Sequence, residues 1–509
     1  MPTQIEYNTT KQRSRELHFK FNLLNFQFQK VDELSGVILS DSWTISATSD
    51  IRRAGTVTIL PDSSSSFKIE AGNKIWLDKY IQVYIGIRDI ITDVIEYTNM
   101  GIYLINNPSQ VFSATDRSIT ISLVDLMAKL TGMRNGNLEG LVHIIPEDSN
   151  IKDAVIAVLQ EAGFNRYIIN IDPEDYQTTP YEIKISIGET AYSILTKINE
   201  INVNYQMYFD VDGVFHYEKI PSGVNEQVSI DDDIWKECYI SHTANTNFEN
   251  LKNSITVLGK THNIRNFGGT ASVSGDTYNI SCAKVKALRN NLKVGFIAPN
   301  AVSNAKVNLN DYGAIPIKNE NGTIPELSKE PNNYYVIKYK ENGNYWSFMG
   351  ELQPSYTINE ENPSSPFYVK GTIGKIRIVL SGGEYDNINT DDLARQRAEW
   401  ELYTRCRLLD NITITCIPIY WADVNTVISI KFPDCDKAEK YIIKQISTTG
   451  GIEGTQTIQA MKYYSYYAYN ARQWGGLNAL GITWKYLKDN GYTWKTVNEG
   501  GINIEQYNT

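Results

Sequence analysis

The spacing of apolar residues limits what this chain can fold into more than any motif does. Over most of its length apolar and polar residues alternate, as in "DSWTISATSDIRRAGTVTIL" (41–60), "RSITISLVDL" (117–126) and "NITITCIPIY" (411–420). That is the period of a strand with one buried face. The period lengthens to 3.6 in three places. In "SNIKDAVIAVLQEAG" the stripe is Ile151, Ala154, Val155, Val158, Leu159 and Ala162, with Ser149 or Asn150 to cap it and Gly163 to end it. In "GETAYSILTKINEIN" it is Ala191, Ile194, Leu195, Ile198 and Ile201. The third runs through Ala394, Ala398, Leu402, Cys406 and Leu409, capped by Asn389 or Thr390, with Asp391 and Asp392 where the helix dipole favours acids.

These changes of period divide the 509 residues, too many for a single core. The fold class they predict is mainly β with α+β parts. Residues 1–140 read as an N-terminal β domain closed by a helical segment over 123–130, and 141–224 as a small α+β domain. In the latter, Asp212-Gly213 sits between alternating aromatic and aliphatic residues, a strong hairpin signal. Residues 225–388 return to β character, interrupted at about 262–330 by an Asn/Gly-rich insertion with weak strand signals. Residues 389–465 read as one helix on an antiparallel four-strand meander. Pro418 has no N–H for a ladder and must end its strand or lie at an edge. Residues 466–509 form an extension in which Trp474, Trp484 and Trp494 fall ten apart, consistent with self-packing units or with a partner-docking module.

Composition narrows the chemistry. The 48 basic and 58 acidic residues give a net charge of -10, which argues against a partner held by phosphate neutralisation and so against sequence-specific nucleic acid binding. No apolar run is long enough to span a bilayer, and the start lacks a signal peptide's apolar core, so synthesis in the cytoplasm without a membrane anchor is expected. Cys238, Cys282, Cys406, Cys416 and Cys435 show no CxxC spacing, which predicts reduced, structural thiols. No HExxH, GxSxG, P-loop or GxGxxG surrounds any of the five histidines. Asp210, Asp212 and Gly213 match part of a calcium loop but equally a hairpin turn. The acidic run 231–233 reads as a solvated turn, and Cys238 with His242 lacks further ligands. No catalytic residue, cofactor or metal is expected.

The order of elements resembles the hub proteins of phage tails and contractile injection systems. "ARQRAEWELYTRCRLLDNITITCIPIYWADVNTVISIKF" with "KYIIKQISTTGGIEGTQTIQAMKYY" resembles their last hub domain, and residues 189–219 their small α/β domain. "SWTISATSDIRRAGTVTI" with "GIYLINNPSQ" resembles the opening barrel of hubs from phages of Gram-positive bacteria. The likeness covers about residues 35–465. It implies two barrel domains per subunit, an N-terminal one in 1–140 and a second in 225–388, and a homotrimeric ring of pseudo-six-fold symmetry. Such a ring joins a tail tube or distal tail protein, with its tape measure protein, to a three-fold spike, fibre or tip protein. It implies a structural, non-enzymatic virion component of the tail tip or baseplate, assembled in the host cytoplasm, with Arg52 and Arg53 as candidate intersubunit contacts. A cell-wall hydrolase or a carbohydrate-binding adhesin on the same base is the alternative.

Overall fold

The computed structural model describes residues 2–464, apart from 63–67, 114–116, 139–142, 187, 224–225, 262–263, 320–321, 329–330, 352, 363–364, 408, 434 and 452–453, together with 483–489 and 491–493. Strand makes up 41% of the described residues and helix 14%, so the fold is mainly β with α+β parts, as the alternation predicts. Contacts divide the chain into two units, one made of 1–247 with 409–466 and the other built on 248–408.

The first unit opens with a helix, α1 (Gln4–Thr10), started by a capping box between Thr3 and Glu6. Strands β1 (Leu17–Leu24), β2 (Lys30–Leu34), β3 (Gly36–Ser46), β4 (Arg53–Pro61), β5 (Tyr80–Arg88), β6 (Ile95–Ile105), β7 (Ser109–Gln110) and β8 (Ile119–Asp125) then form lobe one. Their order is β3-β4-β8-β6-β5-β1-β2, with β7 on β8. The inward members of the alternation, among them Trp43, Val57, Ile59, Ile119 and Ile121, make its core. Where a helix over 123–130 is predicted, β8 continues to Asp125 and only Leu126–Lys129 coil, as a 3-10 turn capped by Asp125.

The small domain follows: β9 (His143–Ile145), α2 (Ile151–Glu161), β10 (Tyr167–Ile169), β11 (Ile183–Ile185), α3 (Ala191–Asn199), β12 (Tyr205–Phe209) and β13 (Phe215–Lys219). Asn150 caps α2 and Thr190 caps α3, each side-chain oxygen accepting the N–H three residues on. Ile151, Val155, Val158 and Leu159 of α2 meet Ala191, Ile194, Leu195 and Ile198 of α3 in one buried cluster. The predicted hairpin joins β12 to β13 and turns at Gly213, whose φ of +71° suits a residue without Cβ. A Cβ there would also press on Phe28 and Leu126 of lobe one, at 3.0 and 3.1 Å.

Next come β14 (Val228–Ile230), α4 (Asp232–Cys238) and β15 (Tyr239–Asn247). The chain then enters the second unit through β16 (Ser254–Leu258), β17 (Phe267–Thr270), β18 (Ser272–Ser274), β19 (Thr277–Ile280), β20 (Lys293–Ala298), β21 (Lys306–Leu309) and β22 (Ala314–Lys318). It continues through β23 (Asn333–Lys340), β24 (Tyr345–Glu351), β25 (Ser355–Asn359), β26 (Arg377–Leu380) and α5 (Asp391–Arg405). Strands β27 (Leu409–Cys416), β28 (Val427–Ile430), β29 (Glu439–Thr449) and β30 (Gln456–Lys462) return to the first unit, and α6 (Trp484–Asp489) follows them in sequence. Among the described residues no helix is long and apolar enough to cross a membrane.

This path differs from the expected second barrel over 225–388. Strand β15 pairs along its length with β27, Asn247 opposite Leu409, so lobe two consists of β14, α4, β15 and β27 to β30. Residues 248–408 leave from the end of one hairpin. A second insertion is nested inside the first: β16 pairs with β25, Leu258 opposite Ser355, and everything between is a separate sheet. That sheet has the order β17-β20-β23-β24-β22-β21-β19-β18. Because β17 and β18 are separated only by Ala271, the sheet curls back on itself around Tyr278, Phe296, Tyr335 and Trp346. The stretch 262–330 therefore carries six of the eight strands of an inserted barrel. Its strands are only three to six residues long, too short for the alternation to stand out. The expected helix over 389–409 ends at Arg405, with Leu409 already in β27, and packs on β16 and β25 of the second unit. The meander too is reordered, to β27-β30-β29-β28.

Because Asn247 and Leu409 face each other, replacing 248–408 by a two-residue Asn-Gly turn should leave the first unit folded. The expected result is a soluble protein with a strand-rich circular dichroism spectrum and one cooperative unfolding transition. An insoluble or molten product would show that the first unit needs the second.

Candidate functional site

Where lobe one, lobe two and the small domain meet, two adjacent arginines are buried against a half-buried aspartate. The alternation of β3 and β4 is interrupted by their connecting turn, which brings Arg52 and Arg53 to the start of β4. Only 6% and 3% of these residues is exposed. Arg52 donates to Gln206 Oε1 at 2.9 Å, to the Val424 carbonyl at 2.8 Å and to Asp423 Oδ1 at 3.3 Å. Its guanidinium also lies 3.8 Å from the Tyr208 ring centroid. Arg53 donates to the Phe209 carbonyl at 2.6 Å and to Asp423 Oδ2 at 2.5 Å, and its backbone N–H donates to Asp125 Oδ2 at 2.8 Å. Both arginines, candidate intersubunit contacts in the sequence, hold three parts of their own chain together here.

Burial pushes the Asp423 carboxyl up, but the two guanidinia outweigh it and hold the group below the ordinary carboxylate range. Asp125 has less help. Burial dominates there, and the N–H groups of Arg53 and Met127 recover only part of the cost, leaving its pKa at about 6. The junction therefore carries two fixed cations, an aspartate that remains ionised and a second that is protonated under mild acid.

The junction continues into the small domain. Tyr208, beneath Arg52, stacks on His216 with ring centroids 5.0 Å apart and donates to Glu218 at 2.8 Å. His216 Nε2 lies 3.0 Å from Asp210 Oδ2, and Nδ1 lies 3.5 Å from Glu218 Oε2. Hydrogen bonds to Asp210 and then Glu218 raise the imidazole pKa to about 9. Asp210 also accepts the N–H of Asp212 and of Val214, so its oxygens serve the hairpin rather than a calcium ion. Among the described residues no group of three or more His, Cys, Asp or Glu is arranged to hold a metal.

The other sequence candidates have structural roles. Asp231 caps α4 and accepts from Tyr7 of α1 at 2.9 Å. Cys238 is buried beside Arg15, and His242 stacks on Phe432 at 4.0 Å. Pro418 lies just past the end of β27, and its carbonyl accepts from Arg15. Arg15, also bound to the Thr10 and Gln12 carbonyls, thereby ties the N-terminal segment to lobe two. Trp484 begins α6 and is half exposed, while Leu487 is buried and Thr483 caps the turn by accepting from Tyr486 N–H. Trp474 and Trp494 lie outside the described residues. The sequence reading missed Asp423, Asp125 and Gln206. Nothing in their local pattern shows that turns 370 residues apart, those of Arg53 and Asp423, will converge.

The family described as "Domain of unknown function (DUF5048)" matches residues 364–467. No curated protein matches the chain. Its structural neighbours are phage tail and baseplate proteins and hub-like proteins of type VI secretion. The 43 kDa tail protein of prophage MuSo2 from Shewanella oneidensis is 11% identical, with 87% of this chain and 98% of that one covered and a TM-score of 0.46. A tail protein from Neisseria meningitidis MC58 is 10% identical over 87% and 96%, with a TM-score of 0.46. The prophage tail protein gp18 from Listeria monocytogenes EGD-e is 10% identical over 87% and 94%, with a TM-score of 0.43.

Removing one partner from a buried ion cluster leaves an uncompensated charge, so Asp423→Asn should cost about 3–5 kcal/mol of unfolding free energy. Denaturant unfolding of the full chain measures this, and a cost under about 1 kcal/mol would place the cluster among exposed pairs. His216 gives a pH test. Its folded pKa lies above the roughly 6.5 of an unfolded histidine, so its contribution is complete below that pH and fades as pH rises through about 9. The urea midpoint should therefore fall more steeply towards alkaline pH in the wild type than in His216→Gln.

Proposed function

We propose that the chain is the structural hub of a phage tail tip or baseplate, three copies of which close a ring between a six-fold tail tube and a three-fold distal protein. The observation that carries this reading is the joining of two barrel lobes in one sheet. The β29 segment Gln445–Thr449 pairs with the β3 segment Ser42–Ser46, and Arg52, Arg53 and Asp423 lock the junction behind it. A subunit that holds two lobes at a fixed angle supplies two of six ring positions, so three subunits match a six-fold tube with a three-fold assembly.

In this role the partners are a tail tube or distal tail protein and the tape measure protein on one face, and a spike, fibre or tip protein on the other. The chain is then a virion protein, assembled in the host cytoplasm, whose work is mechanical and not enzymatic. Trp474, Trp484 and Trp494 are the proposed docking residues for the distal partner.

Class averages of the purified chain, alone and mixed with tail-tube protein, test the proposal. The expected result is a three-fold ring with six lobes. Monomers that never close, even with tube protein present, would overturn it, and peptidoglycan turnover or glycan binding by those monomers would replace it with the hydrolase or adhesin.

A further inference from the structure

The barrel inserted between β16 and β25 has a charge unlike that of the chain around it. Between Glu249 and Asp311 stand eight basic residues and a single acid, Asp276, which leaves 40 basic and 57 acidic residues for the rest of the chain. Asp276 is paired with Lys306 at 2.8 Å. Strand directions set that pair at one end of the barrel and gather Arg265, Lys284, Lys286, Arg289 and Lys293 at the other, where β17 and β20 begin and β19 ends. The first four of these are exposed, and among the described residues none of them has a carboxylate partner. Asp311 and Glu341, in the turns after β21 and β23, are the acids at the same end.

The loop 281–292 carries three of the cations and is fastened on both sides. Asn310 donates to the carbonyls of Cys282 and Val285, both at 2.9 Å, and accepts the Cys282 N–H at 2.7 Å. Farther on, the Asn291 N–H donates to the Tyr339 carbonyl at 2.8 Å and the Tyr339 N–H to the Leu292 carbonyl at 2.9 Å. Cys282, Val285 and Leu292 are buried in the barrel's apolar cluster, so Lys284, Lys286 and Arg289 are left outside. Lys284 Nζ also donates to the Arg265 carbonyl at 3.3 Å, which ties the loop to the segment entering β17. Like charges held near one another on a fixed loop repel, and an anion bound among them relieves that repulsion. Because the loop is already ordered, such binding loses little chain entropy.

An aromatic surface adjoins the cations. Two residues on from Arg265, Phe267 is 46% exposed, and its ring lies parallel to that of Tyr334 to within 4°, with centroids 5.4 Å apart. Gly295, opposite Phe267 in the register, makes room for the Tyr334 ring, to which a Cβ would approach within 2.9 Å. Flat apolar faces beside fixed cations suit a ligand that carries both C–H-faced rings and spaced anionic groups. An acidic peptide offers the charges without the rings. A polymer charged at every unit, such as nucleic acid, is repelled by the acidic remainder of the chain.

We propose that this end of the inserted barrel binds an acidic polysaccharide, its anionic groups on Lys284, Lys286 and Arg289 and its sugar rings on Phe267 and Tyr334. This adds a binding activity to the hub reading without depending on ring closure. The two fail separately, because binding is measured on the chain in solution and closure by class averages.

Fluorescent oligogalacturonate, with neutral oligodextran, oligothymidylate and oligoglutamate of equal length as comparisons, tests the proposal on the full chain. Oligogalacturonate should bind most tightly and lose affinity as salt is added, and oligodextran should not bind. Replacing Lys284, Lys286 and Arg289 together by serine should weaken binding by about tenfold or more. The same replacement of the exposed Lys30, Lys68 and Lys184 of the first unit, which removes equal charge elsewhere, should leave it unchanged. Phe267→Ser, which keeps every cation, should weaken oligogalacturonate about fivefold and leave oligoglutamate unaffected. Absence of oligogalacturonate binding, equal loss in the two triple variants, or indifference to Phe267→Ser would each overturn the inference. Tighter binding of oligothymidylate would overturn it in favour of a nucleic acid site.

Discussion

The first unit depends on one antiparallel pairing, between residues 42–46 and 445–449. It joins segments about four hundred residues apart, and without it the two lobes would have separate sheets. Strand pairing over so short a length is weak by itself, because each backbone hydrogen bond contributes little net free energy in water. What makes it permanent is burial on the inward side, where Trp43 and Ile45 sit opposite Thr448 and Ile446. The same crossing brings Gly450 against Asp41, whose backbone carbonyl accepts the Gly450 N–H at 2.9 Å and whose carboxylate takes the Trp43 indole N–H at 2.7 Å. A Cβ on Gly450 would lie 1.7 Å from that carboxylate, so this close approach requires a residue without one.

The arginine junction completes the pairing by fixing an angle. Hydrophobic contact between lobes is non-directional, whereas two guanidinia shared among Asp423, Gln206 and the backbone carbonyls of Phe209 and Val424 accept one geometry. Desolvating these charges is costly, and their hydrogen bonds offset that cost only while every partner is present. A part whose angle decides whether a ring closes is served by such an arrangement, which gains specificity where it gains little net stability. The small domain takes part through Tyr208 and Phe209, so its position is tied to the same junction.

Topology explains how so much chain fits around one sheet. Unit two leaves and re-enters at the end of the β15–β27 hairpin, and the eight-stranded barrel leaves and re-enters at the end of β16–β25. Insertion at a hairpin end costs little, because closing a longer loop adds only slowly to the entropy and the strands on either side keep their pairing. The inserted barrel also brings its own apolar cluster, around Trp346, so it does not draw on the core of its host.

Local structure was legible in the sequence because it depends on local pattern. The helices at 151–161, 191–199 and 391–405, the caps at Asn150 and Thr390, the Gly213 hairpin and the strand end before Pro418 follow from side-chain period, capping chemistry and backbone sterics within a dozen residues. The outer face of the sheet was half legible, since the runs "SWTIS", "TVTI", "ITIS", "ITIT" and "TQTIQ" already alternate aliphatic or aromatic residues with hydroxyls and amides. Only tertiary structure decided that those runs lie side by side, that β15 pairs with β27 across 161 inserted residues, and that Arg52 and Arg53 face inward to Asp423. Period specifies which face of a strand is buried but carries no label for its neighbour. That choice is made by the combined burial of faces far apart in sequence, a quantity no single segment contains.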